Sequence, residues 1–436
     1  MRKLFIVSLG CPKNLTDAEV MAGRLAGAGF ELTGDPEDAD LALINTCAFL
    51  GSAVKESETE IKRLLDMKKR GRTLKVAVTG CLVERKKELL LRRFPQLDFI
   101  AGINALDSIA SAVENGTRSL IPGTAPLAGS GTKVRLTAGH TAYLKVADGC
   151  GNHCAYCLIP SIRGPFRSKP VEAAAEEARA LASSGAKEIS LIAQDTTSYG
   201  ADLYGRPKLY ELLRELVRVP GIEWLRLMYV HPEKLSSRIL RLIRDENKIC
   251  RYLDMPVQHI SDKVLRMMNR RSTERSIRGT IAAIRKAVPD MALRTNLIAG
   301  FPGESDEDFE KLIAFVKETE FDNIGIFAYS REPGTSAAGL PGQLPERVKK
   351  ERMEALIEAQ SRVVDRRNAS LKGAVVKVLM DSPRFGRTFR EAPEIDGGVE
   401  ISGGGSGRGK ALRAGDFAEV RITGAAGYLR RGTPIG

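Results

Sequence analysis

Six of the seven cysteines in this 436-residue chain fall into two groups of three, and thiolates grouped in this way are ligands for a soft metal. Cys150, Cys154 and Cys157 share one short loop, Asp148-Gly149-Cys150-Gly151-Asn152-His153-Cys154-Ala155-Tyr156-Cys157, directly after the apolar run Ala142 to Val146. Such a loop can wrap one face of an iron–sulfur cube. A [4Fe–4S] cube has a fourth corner, so one iron is either capped from elsewhere or left open for a substrate. A Cys3His zinc site that recruits His153 is the alternative. Zinc knuckles, however, usually bring cysteines in separated pairs, and four ligands on one tight loop would be strained. A disulfide framework fits poorly with an odd number of cysteines and no secretory signal.

The second group is dispersed. Phe5 to Gly10 runs into Cys11, Leu41 to Thr46 into Cys47, and Val76 to Gly80 into Cys81, each about one strand–helix–strand repeat after the last. Parallel strands in an open sheet present their carboxyl ends at one edge, so these three thiols are expected to converge. Taken singly, each is a small buried hydrophobe. Three at the same topological position favour a second three-thiolate cluster. Gly10 and Gly80 allow positive φ or close backbone approach beside it. Asn14 and Asn45 read as polar neighbours, or as simple cap and turn residues. Cys250 belongs to neither group and reads as a lone buried thiol.

The elements that must position these residues are those of an α/β chain with three parts. Residues 1–115 alternate β-rich runs with amphipathic stretches, the pattern of an open parallel sheet with crossover helices. Residues 116–137, rich in Gly, Pro, Ser and Thr and including Gly129-Ser130-Gly131, read as a linker. Residues 138–372 carry six strand-like segments alternating with helices: Ala142–Ala147, Glu188–Ala193, Trp224–Tyr229, Tyr252–Val257, Met291–Ala299 and Asn323–Tyr329. Six βα units make a partial (β/α)6 barrel, with its site expected at the carboxyl ends of the strands. Gln194 and Asp195, Gln258 and His259, and the Gly300-Phe301-Pro302-Gly303-Glu304 loop all sit at such ends, with Ser305 and Asp308 placed to cap the next helix. Pro345 to Lys372 reads as a long amphipathic helix. Residues 373–436 turn to short β-like runs, interrupted by Asp396-Gly397-Gly398 and by Ser402 to Gly407, the spacing of a small β-barrel.

Composition bounds the partners. Hydrophobic content of 43% and charged content of 28% are those of a soluble globular chain. No apolar run approaches the ~20 residues a bilayer span needs. The apolar stretch Leu4 to Leu9 is too short for a signal-peptide core, so a cytoplasmic location is expected. The net charge of +13 favours an anionic partner such as RNA or a ribonucleoprotein, the plainer reading being a well-solvated surface. His140, His153 and His231 read as structural or surface residues. Arg163 is placed to neutralise a substrate carboxylate, or simply to pair with a local acid.

The Cys150 loop resembles the C-x3-C-x2-C signature of the radical S-adenosylmethionine (SAM) superfamily. The resemblance implies that the open iron chelates the methionine moiety of SAM and that Tyr156 lies against its adenine. Gln194 and Asp195 then meet the methionine amino group, and Gln258 joins the SAM-binding set. Gly300 and Gly303 admit the adenosine to the backbone. Arg270, in Met268-Asn269-Arg270, matches an arginine that meets the SAM carboxylate, although an exposed arginine is usually just solvated.

Val7-Ser8-Leu9-Gly10-Cys11-Pro12-Lys13-Asn14 is similar to the opening of the methylthiotransferase family, whose first domain carries an auxiliary [4Fe–4S] cluster on three cysteines. Members acting on transfer RNA usually have Gln-Met where this chain has Pro12-Lys13. The Pro-Lys form, Asp17-Ala18-Glu19, Ile159 to Ser168 and Ala193 to Gly200 resemble the ribosomal-protein branch, RimO, which modifies an aspartate of small-subunit ribosomal protein S-twelve. The last segment resembles a TRAM module, and Glu394-Ile395-Asp396-Gly397 looks like the version thought to help hold a protein substrate. The resemblance implies two [4Fe–4S] clusters and two uses of SAM. One molecule is cleaved to a 5′-deoxyadenosyl radical that takes hydrogen from the aspartate β-carbon; a second methylates sulfur held at the auxiliary cluster. It further implies an electron donor such as flavodoxin or ferredoxin, and contact with ribosomal RNA. A transfer-RNA methylthiotransferase and a zinc-stabilised RNA-binding protein are the rival readings.

Overall fold

The computed structural model describes residues 1–70, 74–124, 127, 133–402 and 411–435. The Gly129-Ser130-Gly131 stretch and most of the Ser402 to Gly407 stretch lie outside the described residues.

The first part contains β1 (Arg2–Ser8), α1 (Pro12–Gly27), β2 (Phe30–Leu32), β3 (Leu41–Thr46), α2 (Gly51–Lys69), β4 (Lys75–Gly80), α3 (Cys81–Lys86), α4 (Glu88–Arg93), β5 (Phe99–Ala101), α5 (Ile109–Glu114) and β6 (Ser119–Leu120). Its strands form one parallel sheet in the order β2-β1-β3-β4-β5-β6. The central strand β3 is buried along its whole length, as a parallel strand covered on both faces must be. Leu41 and Leu43 face Met21 and Leu25 of α1, whereas Ala42 and Ile44 face Ile61 and Leu64 of α2. The sheet takes Ser119–Leu120 out of the expected linker, because the backbone of Arg118 and Leu120 pairs with β5.

The second part begins with β7 (Thr141–Lys145), β8 (Ala147–Asp148), α6 (Ile159–Arg163), β9 (Arg167–Ser168) and α7 (Val171–Ser183). β10 (Glu188–Ile192), α8 (Ala201–Tyr204), α9 (Leu209–Leu216), β11 (Trp224–Leu227), α10 (Ser237–Asp245) and β12 (Ile249–Asp254) follow. Then come α11 (Asp262–Met267), α12 (Glu274–Ala287), β13 (Ala292–Ala299), α13 (Asp306–Thr319), β14 (Asn323–Ala328) and α14 (Glu346–Leu371). The sheet order β14-β13-β12-β11-β10-β7 is all parallel, an open six-stranded partial barrel. Period-2 alternation divides its strands. Leu144, Ile189, Leu191, Leu225, Leu227, Leu253 and Leu293 pack outward on the helices, while Tyr143, Ile192, Trp224, Cys250 and Tyr252 face inward. Ser305 caps α13 in a reciprocal box with Asp308.

The third part is a closed barrel of β15 (Val375–Ser382), β16 (Phe385–Arg387), β17 (Gly398–Ile401), β18 (Phe417–Ala426) and β19 (Leu429–Pro434), in the order β15-β16-β17-β19-β18. It plugs the amino-terminal end of the partial barrel. Leu379, Phe389, Ala392 and Phe417 join the inward cluster, and Arg387 meets Glu188 at 2.6 Å inside it. This corrects one expectation. Asp396 accepts from Tyr252 Oη at 2.8 Å and lies 3.3 Å from Arg294 Nε. It is an internal joint, buried because its partners are the inner face of the barrel, and it is not free to hold a substrate.

Candidate functional site

Cys11, Cys47 and Cys81 stand at the carboxyl ends of the adjacent strands β1, β3 and β4. The register brings Ser8 beside Asn45 and Thr46 beside Gly80, so the residues that follow emerge together. Gly10 and Gly80 adopt φ of 93° and 94°. A Cβ on Gly10 would fall 2.7 Å from Cys47 Cβ, and one on Gly80 2.4 Å from Asn45 Oδ1. Only glycine fits where the three loops crowd. Asn14 staples them, donating from Nδ2 to Leu9 O at 3.0 Å and to Thr46 O at 2.9 Å, while its Oδ1 lies 3.5 Å from Cys81 Sγ. Asn45 donates back to Asn14 O at 2.5 Å.

Cys150, Cys154 and Cys157 ride the loop leaving β8. The Cys150 and Cys157 sulfurs accept from the backbone N–H of Asn152 at 3.5 Å and Ile159 at 3.4 Å. Arg270 Nη1 lies 3.8 Å from Cys154 Sγ. Burial pushes the Cys81 and Cys157 thiols up to about 12, and raises Cys47 and Cys150 as well. A thiol so desolvated becomes a thiolate only against a counter-charge, which a bound metal supplies. Among the described residues no three His, Cys, Asp or Glu side chains are drawn together around a single point. A cube asks for something else, one thiolate per corner iron, and the all-sulfur donor set suits it.

One guanidinium joins the two groups. Arg163, at the end of α6, is fully buried. It pairs with Asp148 at 2.7 Å, just before the Cys150 loop, and with Asp17 of α1 at 3.1 Å. It donates to Asn14 Oδ1 at 2.5 Å and approaches Cys81 Sγ at 3.7 Å. Lys145 completes the network on Asp17 and Asp148. Burial alone would raise the Asp148 carboxyl, but Arg163 and Lys145 hold it well below the usual range. Of the two readings of Arg163, a substrate carboxylate or a local acid, the second holds: Asp148 and Asp17 occupy it. Leu158 and Ile162 pack against Cys81, Leu82 and Val83, so the helix leaving one cysteine group docks on the helix that starts with the other.

A second tie crosses the same seam, where Glu332 accepts from Gly51 N at 2.7 Å and from Arg85 at 3.1 Å. Arg85 also donates to Ala48 O at 2.8 Å, beside Cys47. A third is Lys13, whose Nζ lies 3.4 Å from Ala193 O and 3.3 Å from the centroid of the Tyr229 ring. Tyr229, with φ of 59°, is one of four non-glycine residues at this mouth in the left-handed region, the others being His153, Gln258 and Asn269. Strain of this kind concentrates where the surroundings over-determine a site. Sequence reading named Asp17 within a motif and Tyr229 as a strand end, but the role of each became visible only through a partner on another domain.

Three family models match in succession: the Uncharacterized protein family UPF0004 over residues 3–102, the Radical SAM superfamily over 144–316 and the TRAM domain over 373–434. The chain is 50% identical over 435 residues to the ribosomal protein uS12 methylthiotransferase RimO of Elusimicrobium minutum, covering 100% of both chains. The chain belongs to the RimO family. The RimO of Geobacter sulfurreducens is 46% identical, with 98% of this chain and 97% of that one covered. Among solved structures, the radical SAM methyltransferase TsrM of Kitasatospora setae shares the fold at a TM-score of 0.56 and 16% identity, over 77% of each chain. The Radical SAM match spans the Cys150 group, and both cysteine groups fit [4Fe–4S] clusters by donor type and by the buried cations beside them.

The remaining expected SAM-binding residues of this RimO chain gather around Cys150 to Cys157. Gln194 donates to Asp148 Oδ1 at 2.8 Å and leaves its buried Oε1 without a partner. Asp195 is instead saturated by Asn152 at 2.9 Å, Lys234 at 2.6 Å, Thr197 at 2.5 Å and Ser198. Burial pushes its pKa up, but Lys234 and the other donors outweigh that and hold it at about 2. Asp195 thus braces the cluster loop through Asn152, and Gln194 Oε1 is the open acceptor. Arg270 donates to Pro256 O at 2.9 Å, touches Tyr156 Oη at 3.4 Å and keeps a buried, unpartnered Nε. Tyr156 packs with Met268, Phe301 and Tyr329. Gln258 has φ of 70° and bridges to β13 through its backbone. The close approach that Gly300 and Gly303 permit is to the protein itself: their absent Cβ atoms would meet Lys349 at 2.6 Å and Met267 at 3.2 Å. Cys250 is buried, its thiol pushed up to about 12 by desolvation, away from both groups. His140 pairs with Asp381 at 2.8 Å across the joint with the last barrel.

Proposed function

We propose that this chain methylthiolates the β-carbon of an aspartate of ribosomal protein uS12, with one [4Fe–4S] cluster on Cys150, Cys154 and Cys157 and another on Cys11, Cys47 and Cys81. The observation that carries the reading is the single buried Arg163, which reaches both cysteine-bearing loops and so fixes them across one seam. When bound, the clusters and SAM supply the electron, the hydrogen-abstracting radical, the sulfur and the methyl group. The chain's own residues bind and orient. Gln194 Oε1 and Arg270 Nε offer an acceptor and a donor, suited to the amino and carboxylate ends of the SAM methionine. Tyr156 offers an aromatic face. Arg163, Lys145, Asp17 and Asp148 lock the seam, and the third part closes the far end of the partial barrel, keeping water from the inner cavity.

The domains divide near 1–120, 138–372 and 373–436, the first extending past the expected 115 because its sheet reaches Leu120. No helix among the described residues is long and apolar enough to cross a membrane, and a ribosomal-protein substrate supports a cytoplasmic location. A flavodoxin or ferredoxin supplies electrons, and the net positive charge suits contact with ribosomal RNA. Mass spectrometry of uS12 from a deletion strain, with and without the restored gene, tests the reading. Loss and recovery of a methylthio-aspartate supports it, whereas an unmodified uS12 in both strains, with transfer RNA altered instead, refutes it.

A further inference from the structure

Four lysines of the described chain are buried: Lys13, Lys145, Lys169 and Lys349. Three have a carboxylate at bonding distance, Lys145 on Asp17 and Asp148, Lys169 on Glu177 and Lys349 on Glu346. Lys13 is the exception. It is 6% exposed, yet among the described residues no carboxylate lies within 4 Å of its ammonium. Its direct contacts are one carbonyl, Ala193 O at 3.4 Å, and the face of Tyr229, while Cys11, Asp254 and Asp148 act on it from beyond bonding distance and Arg163 opposes them. The nearby Asp254 is already engaged by Arg294 at 2.8 Å.

The position is also unfavourable in itself. Lys13 lies in the first turn of α1, where the helix dipole repels a cation. A buried cation with no carboxylate at bonding distance is costly, so this place favours a further anion that can reach it directly. Its location says which one. Lys13 follows Cys11 by two residues and reaches Ala193, the residue before Gln194, so it spans the gap between the auxiliary thiols and the SAM-binding strand ends.

We infer that Lys13 is a specificity-determining residue that binds the side-chain carboxylate of the target aspartate. The inference rests on the reading that the substrate is an acidic residue of uS12. A carboxylate held there gains a charge-assisted bond and leaves the neighbouring carbon facing the seam. The competing role is counter-charge to the thiolates of the Cys11 group, and it predicts a different pattern.

The test is a cross of enzyme and substrate variants. Binding of the anaerobically reconstituted full-length protein to uS12, free and in small subunits, is measured for uS12 with the target aspartate intact and with it changed to asparagine. The wild-type protein should prefer the aspartate form by about tenfold to a hundredfold, the worth of one charged hydrogen bond. Lys13→Met should abolish that preference while binding the asparagine form as the wild type does. Lys13→Gln, which keeps length and polarity, serves if the methionine variant loses iron, and Lys13→Arg should restore part of the preference. A Lys13→Met or Lys13→Gln protein that keeps the full aspartate preference overturns the assignment, whatever happens to cluster potential. Failure of the wild type to bind any form of uS12 overturns the substrate reading, and the assignment with it.

Discussion

Arg163 Nη2 lies 3.7 Å from Cys81 Sγ, although Arg163 leaves the same loop that carries Cys157. The guanidinium is buried and ion-paired to Asp148 and Asp17, so it cannot be removed without stranding two carboxylates in the interior. Arg163→Met should cost about 3–5 kcal/mol of stability and reduce retention of the auxiliary cluster. Urea denaturation and iron content of the anaerobic protein check both effects. A variant with unchanged stability and full iron would contradict the linking role.

The two cysteine groups should separate genetically. Cys154→Ala is expected to abolish SAM cleavage, whereas Cys47→Ala should spare cleavage and stop sulfur insertion. Product analysis by chromatography for 5′-deoxyadenosine and by mass spectrometry for modified uS12 distinguishes them. Full methylthiolation by Cys47→Ala would deny the first-domain group its role.

Cluster assembly should be pH-dependent. Burial pushes Cys81 and Cys157 to about 12 in the metal-free chain, so binding iron must expel protons that water alone would not take. Reconstitution with iron and sulfide should therefore run faster at pH 8.5 than at pH 7, with protons released on binding. A rate independent of pH would show that the thiols are not held protonated.

His231 supplies an acid-sensitive element. Burial pushes its pKa down to about 4, the Arg270 charge acting in the same direction, and its Nδ1 has no hydrogen-bond partner. The unfolded chain, with a histidine near 6.5, binds more protons than the folded one between those values. Stability is thus full above about pH 6.5 and falls as pH drops toward 4, by roughly 3 kcal/mol from this residue. Denaturation midpoints of wild type and His231→Gln across that range should show a shallower acid loss in the variant.

Much of this was legible beforehand, for identifiable reasons. Strands β3 and β4 show as apolar runs because each is buried on both faces, β1 is apolar though only partly buried, and the cysteines mark all three ends. All six strands of the partial barrel were placed. β12 begins at Ile249, earlier than expected, because Cys250 faces inward and Arg251 pairs with Asp290 at the rim. For Arg163 the pairing with a local acid was legible, but not its reach to Asn14 and Asp17, which lie on another domain. Asp396 misled for the same reason, since an Asp-Gly-Gly turn looks like surface until Tyr252 and Arg294 are seen around it. Lys13 was visible only as part of a motif, its isolation being a property of space rather than of sequence.

Electron paramagnetic resonance of the dithionite-reduced, anaerobically reconstituted protein tests most directly whether the two cysteine groups hold two clusters across one seam. The wild-type spectrum, compared with those of Cys154→Ala and Cys47→Ala, should contain two paramagnets and differ from the sum of the variants, because centres joined through the one buried Arg163 should couple magnetically. A wild-type spectrum equal to that sum, or one showing a single cluster, would contradict it.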